Sequence, residues 1–151
     1  MDTIKLHPDF NAFLKLLNAK EDEYLLIGGY AVNLHGYPRS TDDIDVWVEM
    51  HPGNARRIVE ALQEFGFTVP ELNEQLFLTP GRIMRMGRVP VRIEISTTIS
   101  GVEFDECRER AILMDIDGVP VPVISLRDLR TNKKASGRDK DLVDLARLPE
   151  P

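Results

Sequence analysis

The chain is short of several things, and each shortage narrows the reading. It has one cysteine, Cys107, so no internal disulfide can form, and a reducing, cytoplasmic compartment is the expectation. It has no long apolar run. Leu25-Leu26-Ile27 is typical of what is present, far short of the roughly 20 residues of a membrane span. Met1 to Leu6 carry two charges and no apolar stretch of leader length, so no secretory signal is expected. There is no basic surplus: the formal net charge is −6, which argues against a large nucleic-acid footprint. There is no internal repeat and no low-complexity linker. The three histidines, His7, His35 and His51, are far apart and share no zinc-ligand spacing with Cys107.

What is there fits one folded domain over residues 1–151. The length closes a single core and leaves no room for a large second one. A hydrophobic fraction of 42% with 29% charged residues is that of a soluble globular chain rather than a disordered one. The basic residues are unevenly placed. Arg82, Arg85, Arg88 and Arg92 crowd one stretch without an acid among them, and Arg127, Arg130, Lys133, Lys134, Arg138 and Lys140 crowd another.

The periodicities predict an α+β fold, a mixed sheet with helices packed on it. Phe10, Phe13, Leu14 and Leu17 follow a helical spacing, and Pro8 suits a first turn. Tyr24–Ile27 reads as a buried strand, broken by Gly28-Gly29, with a short helix over 30–35. Ile44–Val48 reads as a strand with Asp45, Trp47 and Glu49 on one side. Pro52–Phe65 reads as a helix with Ala55, Ile58, Val59 and Leu62 on its apolar face. Two hairpins are expected, one turning at Gly87-Arg88 and one at Asp117-Gly118. Ser125, with Asp128 three residues on, marks a helix start. A last helix after Gly137 is expected to face the core with Leu142, Leu145 and Ala146. Residues 66–80 give no clear pattern.

The chemistry concentrates in residues 25–48, LLIGGYAVNLHGYPRSTDDIDVWV. Gly28-Gly29 at a strand-to-helix junction permits a sharp turn and close approach of a phosphate, or is an ordinary turn. Asp43 and Asp45 lie two apart on a strand, so both carboxylates share a face. Such a pair is tolerable in solvent or around a divalent cation, and hard oxygens suit magnesium or manganese. Arg39 is placed to hold a phosphate, or to pair with an acid. Trp47, on the Asp45 side, serves either a base or the core.

A glycine pair, a short helix and Asp-hydrophobic-Asp on the next strand resembles the nucleotidyltransferase fold of the polymerase-beta-like superfamily. The run GGYAVNLHGYPRSTDDIDVWV is similar to its minimal bacterial branch, which includes abortive-infection-type toxins. The tail LRDLRTNKKASGRDKDLVDLARL resembles the C-terminal segment of that branch, through Lys133, Gly137-Arg138 and Lys140-Asp141. The resemblance implies transfer of a nucleoside monophosphate from an NTP, ATP among them, to a hydroxyl. It implies Mg2+ or Mn2+ held by Asp43, Asp45 and a third carboxylate. Glu94 occupies the matching strand, where the family usually has Asp, and alternation puts it on the side of Arg92 and Ser96. The resemblance further implies that Gly28, Gly29, Arg39 and Lys133 bind the nucleotide. The acceptor is left open between RNA such as tRNA, a protein and a small molecule, with a toxin-like role in view. Two other readings stand beside it. One is a nucleotide-holding module without turnover. The other is an interaction protein, an antitoxin-like partner or homodimer, using an apolar surface from Phe67, Val69, Leu72, Leu76, Phe77 and Leu78.

Overall fold

Apolar spacing in the first helix becomes the floor of the core. The computed structural model describes residues 6–151, so the reading of residues 1–5 as carrying no leader lies outside the described residues. Helix α1, Pro8–Ala19, buries Phe10, Phe13, Leu14 and Leu17, and His7 caps it by accepting the Asp9 N–H at 3.1 Å. Helix α1 packs against α3, Pro52–Phe65, which buries Ala55, Ile58, Val59 and Leu62 as its spacing predicts. Between them in the chain come β1, Tyr24–Ile27, α2, Gly28–Leu34, and β2, Asp43–Val48. Strand β1 is buried along its whole length, as expected of a four-residue apolar run at the middle of a sheet. Helix α2 begins at Gly28, so the glycine pair opens the helix rather than preceding it.

The rest of the chain adds β3, Ile83–Arg88, β4, Val91–Ser96, α4, Phe104–Arg110, β5, Ile112–Ile116, β6, Val119–Val123, α5, Leu126–Ser136, and α6, Asp139–Arg147. The six strands of the described residues form one sheet in the order β3-β4-β2-β1-β6-β5. It is mixed: β2 runs parallel to β4 and β1 parallel to β6, and the other neighbours are antiparallel. The expected α+β architecture is therefore the observed one. Trp47 is buried in it, 5.1 Å edge-on to Phe104, with its indole N–H donated to the Thr97 carbonyl. That occupies both its face and its polar handle, so it belongs to the core and not to a base. No helix among the described residues is long and apolar enough to cross a membrane.

Three expectations need correction. The first hairpin turns at residues 89–90 and not at Gly87-Arg88, because Pro90 has no N–H for a ladder and takes the turn. Residues 66–80 do not expose an apolar surface. Phe77 and Leu72 are buried, Phe67, Leu76 and Leu78 pack against the core, and only Val69 of the six is well exposed. Helix α6 is turned the other way: Asp141 and Asp144 are buried, while Leu142, Val143 and Ala146 face outward. Exposing an aliphatic side chain forgoes about 1.5–3 kcal/mol. Leaving a buried cation without its partner costs about 3–5 kcal/mol. Lys133 is such a cation, so the carboxylates go inside.

Asp22 is the least compensated group of the scaffold. Its side chain is fully buried, neither oxygen has a hydrogen-bond partner among the described residues, and Arg57 Nε stays 3.8 Å away. Burial pushes its pKa up to about 7, against the pull of Arg57. A raised carboxylate pKa favours the fold at low pH and penalises it as pH rises toward 7. Asp22→Asn is therefore expected to add roughly 1–2 kcal/mol more stability at pH 8 than at pH 3.5, the difference building up between the unfolded value near 3.8 and about 7. Urea unfolding at the two pH values checks this, and an equal effect at both would contradict it.

Candidate active site

Strand register brings the acids together. In the parallel β2–β4 pair, Asp43 lies opposite Arg92 and Asp45 opposite Glu94, and across β3–β4 Arg85 lies opposite Glu94. Opposed residues point to the same side of a sheet. Five charged side chains thus share one patch. Asp43, Asp45 and Glu94 each offer a carboxylate oxygen, and the three oxygens lie within 4.8 Å of one another. They are the one His, Cys, Asp or Glu group of metal-binding spacing among the described residues.

The three acids are not equivalent. Asp43 accepts Arg92 Nε at 2.5 Å, and Glu94 accepts Arg85 Nε at 2.9 Å. Asp45 has no hydrogen bond or ion pair among the described residues. Burial first, then the charges of Glu94 and Asp43, raise its pKa to about 7, with Lys133 and Lys140 pulling the other way. A hard divalent cation suits this donor set, which is all oxygen, half-buried and short of positive charge at Asp45.

Both glycines are required by close approach, first of all to protein. Ile27 pairs with Asp45, so Gly28 sits beside that carboxylate at a φ of +69°. A Cβ at Gly28 would run into the Asp45 carboxylate, and one at Gly29 would come 2.6 Å from Thr41 Oγ1. No side chain fits at Gly28 without displacing Asp45.

Arg39 and Lys133 belong to a second cluster, built on Asp141 and Asp144. Arg39 forms a two-bond fork with Asp144, at 2.8 and 2.9 Å. Lys133 Nζ, nearly buried, bridges Asp141 at 3.2 Å and Asp144 at 3.1 Å. Arg138 Nε and Ser136 Oγ complete the set on Asp141, each at 2.7 Å. Against the effect of burial, these partners hold Asp141 well below the usual carboxylate range. The cluster ties the loop before β2 to α5 and α6. It leaves Arg39 and Lys133 engaged by carboxylates, with the field of Lys133 still reaching Asp45.

Sequence reasoning did not single out Arg85 and Arg92 as partners of the acids, nor Asp141 and Asp144 as buried ligands of Lys133. The Arg92-Ile93-Glu94 alternation held a usable signal, since it puts a cation and an anion on one strand face. Their pairing with Asp43 and Arg85 needed the strand order.

A family model described as nucleotidyltransferase of unknown function (DUF6036) matches residues 8–148. Among solved structures, a candidate nucleotidyltransferase from Thermotoga maritima superposes with a TM-score of 0.63 at 17% identity, covering 93% of this chain and 92% of that one. The lincosamide antibiotic adenylyltransferase LnuA, bound to lincomycin, superposes with a TM-score of 0.61 at 13% identity, covering 97% of each chain. The antibiotic-resistance factor ANT(2'')-Ia gives 0.57 at 16% identity over 92% of this chain and 80% of that one. No curated protein matches the chain. The solved structures share the fold, and the match over nearly the whole chain shows that this protein belongs to the DUF6036 family of nucleotidyltransferases.

Proposed function

We propose that this nucleotidyltransferase uses a divalent cation, Mg2+ or Mn2+, held by Asp43, Asp45 and Glu94, to pass a nucleoside monophosphate from an NTP to a hydroxyl acceptor. The observation that carries the proposal is the convergence of the three carboxylates, with no ion pair to Asp45 among the described residues. Phosphoryl transfer asks for positioning and charge neutralisation more than for covalent help from the protein. The acceptor hydroxyl oxygen attacks the α-phosphorus and releases its proton to solvent, the bond between the α-phosphorus and the bridging oxygen to the β-phosphate breaks, and pyrophosphate leaves with that oxygen. The cation, when bound, would supply Lewis-acid polarisation of the phosphoryl oxygens and of the acceptor hydroxyl. The chain's own residues orient the parts. Gly28 keeps a side chain away from Asp45, Gly29 lets α2 pack closely on Thr41, and Lys133 lends positive charge to Asp45. Arg39 holds the loop that leads into Asp43.

A small-molecule hydroxyl is the first acceptor class to test, because LnuA, which has the same fold, holds lincomycin. RNA and protein hydroxyls come next, RNA on the strength of the exposed Arg82 and Arg88. A nucleotide-holding module without turnover is the second reading, favoured by the engagement of Asp43 and Glu94 with arginines. It differs by binding nucleotide without releasing pyrophosphate.

The primary test is pyrophosphate release from each of the four NTPs with Mn2+, followed across an acceptor panel. Asp43→Ala and Asp45→Ala are each expected to lower the rate by at least roughly 100-fold. Full activity in both variants would sink the proposal. Gly28→Ala pushes a methyl group into Asp45, and a loss of Mn2+ affinity of about tenfold or more is expected by calorimetry. Wild-type affinity in that variant would mean that Asp45 is not a ligand. The proton on Asp45 competes with the cation below pH 7. Mn2+ affinity should therefore climb between pH 5.5 and about 7 and level off above it. A flat profile would remove Asp45 from the donor set.

A further inference from the structure

We propose that Arg85 and Arg92 couple cation loading to nucleotide loading: each holds a cation-binding carboxylate, and gives it up to a cation that arrives with phosphate. The inference rests on the cation site proposed above. Its grounds are the register and the contacts. Arg92 reaches Asp43 and Arg85 reaches Glu94, each through Nε, while Asp45 between them is served by neither. The guanidiniums thus each engage one oxygen of two of the three carboxylates that would hold a cation. They are not fixed by burial, since the Arg85 side chain is 65% exposed and that of Arg92 39%. Each can leave its acid for another anion at the same face.

The charges set the direction. Three carboxylates faced by two guanidiniums leave little net attraction for a bare divalent cation, which must also displace or crowd the arginines. A cation carrying a polyphosphate is anionic as a complex. It offers oxygens that a guanidinium fork binds well, while the cation takes over the acids. The arginines therefore oppose the cation alone and favour the cation with phosphate. A plain cross-strand ion pair would do neither.

The full-length chain serves for the test, with Mn2+ alone and then with inorganic pyrophosphate, the group common to every NTP. Mn2+ binding is followed by the loss of the free-ion EPR signal, and pyrophosphate binding by calorimetry at saturating Mn2+. In the Arg85→Gln/Arg92→Gln variant, Mn2+ alone is expected to bind about tenfold tighter and pyrophosphate about tenfold weaker. Arg85→Lys/Arg92→Lys keeps the charge and should keep Mn2+ binding near the wild-type value. If the double Gln variant melts early, Arg85→Gln alone should still move both affinities in the same opposite directions. Unchanged Mn2+ affinity in the Gln variants, or a loss of both affinities together, overturns the coupling. Failure of the underlying site looks different: Mn2+ binding to the wild type would then be absent or indifferent to Asp45→Asn.

Discussion

Like charges forced together at one end of a sheet are the constraint on which the rest of this structure depends. Asp43, Asp45 and Glu94 bring their oxygens within 4.8 Å in a partly buried patch. At neutral pH that arrangement opposes folding unless cations balance it. Two arginines balance Asp43 and Glu94, while Asp45 has no ion pair among the described residues, and burial, then the charges of Glu94 and Asp43, raise its proton affinity. A scaffold that keeps such a group in place is stabilised elsewhere. The apolar interior built from α1, α3 and the central strands supplies that stability.

The surrounding details follow from holding those acids in register. The parallel pairing of β2 with β4 sets Asp45 beside Glu94, and the pairing of β1 with β2 brings Gly28 against Asp45. Arg39, Lys133 and Arg138 are in turn tied to Asp141 and Asp144. That cluster inverts α6, sending acids inward and Leu142 and Val143 outward. Electrostatics overrides hydrophobic patterning there because Asp141 and Asp144 together serve three cations, Lys133, Arg39 and Arg138, while Leu142 and Val143 are only about half exposed. The same cluster anchors the loop that carries Arg39 just before the first acid.

Much of this was legible in the order of residues. The apolar spacings of α1 and α3, the buried run of β1 and the Asp117-Gly118 turn all stood in local pattern, and the structure keeps them. The convergence of Asp43 with Asp45 followed from alternation, and Glu94 from the matching strand. What local pattern could not carry was partnership across the sheet and between helices. Arg92 meets Asp43 across 49 positions and Arg39 meets Asp144 across 105. The inward face of α6 is set by partners on other elements, Lys133 on α5 and Arg39 before β2, which local spacing does not show. The turn falls at Pro90 and not at Gly87, which carries a strong turn signal yet has its positive φ while still paired in β3.

The central claim is that the three acids form one cation site. The most direct measurement is a crystal of the protein grown with Mn2+, with diffraction recorded at the manganese absorption edge. An anomalous peak within about 2.0–2.3 Å of an oxygen from each of Asp43, Asp45 and Glu94 is the expected result. A peak elsewhere, with Arg85 and Arg92 still seated on Glu94 and Asp43 at saturating Mn2+, would contradict it.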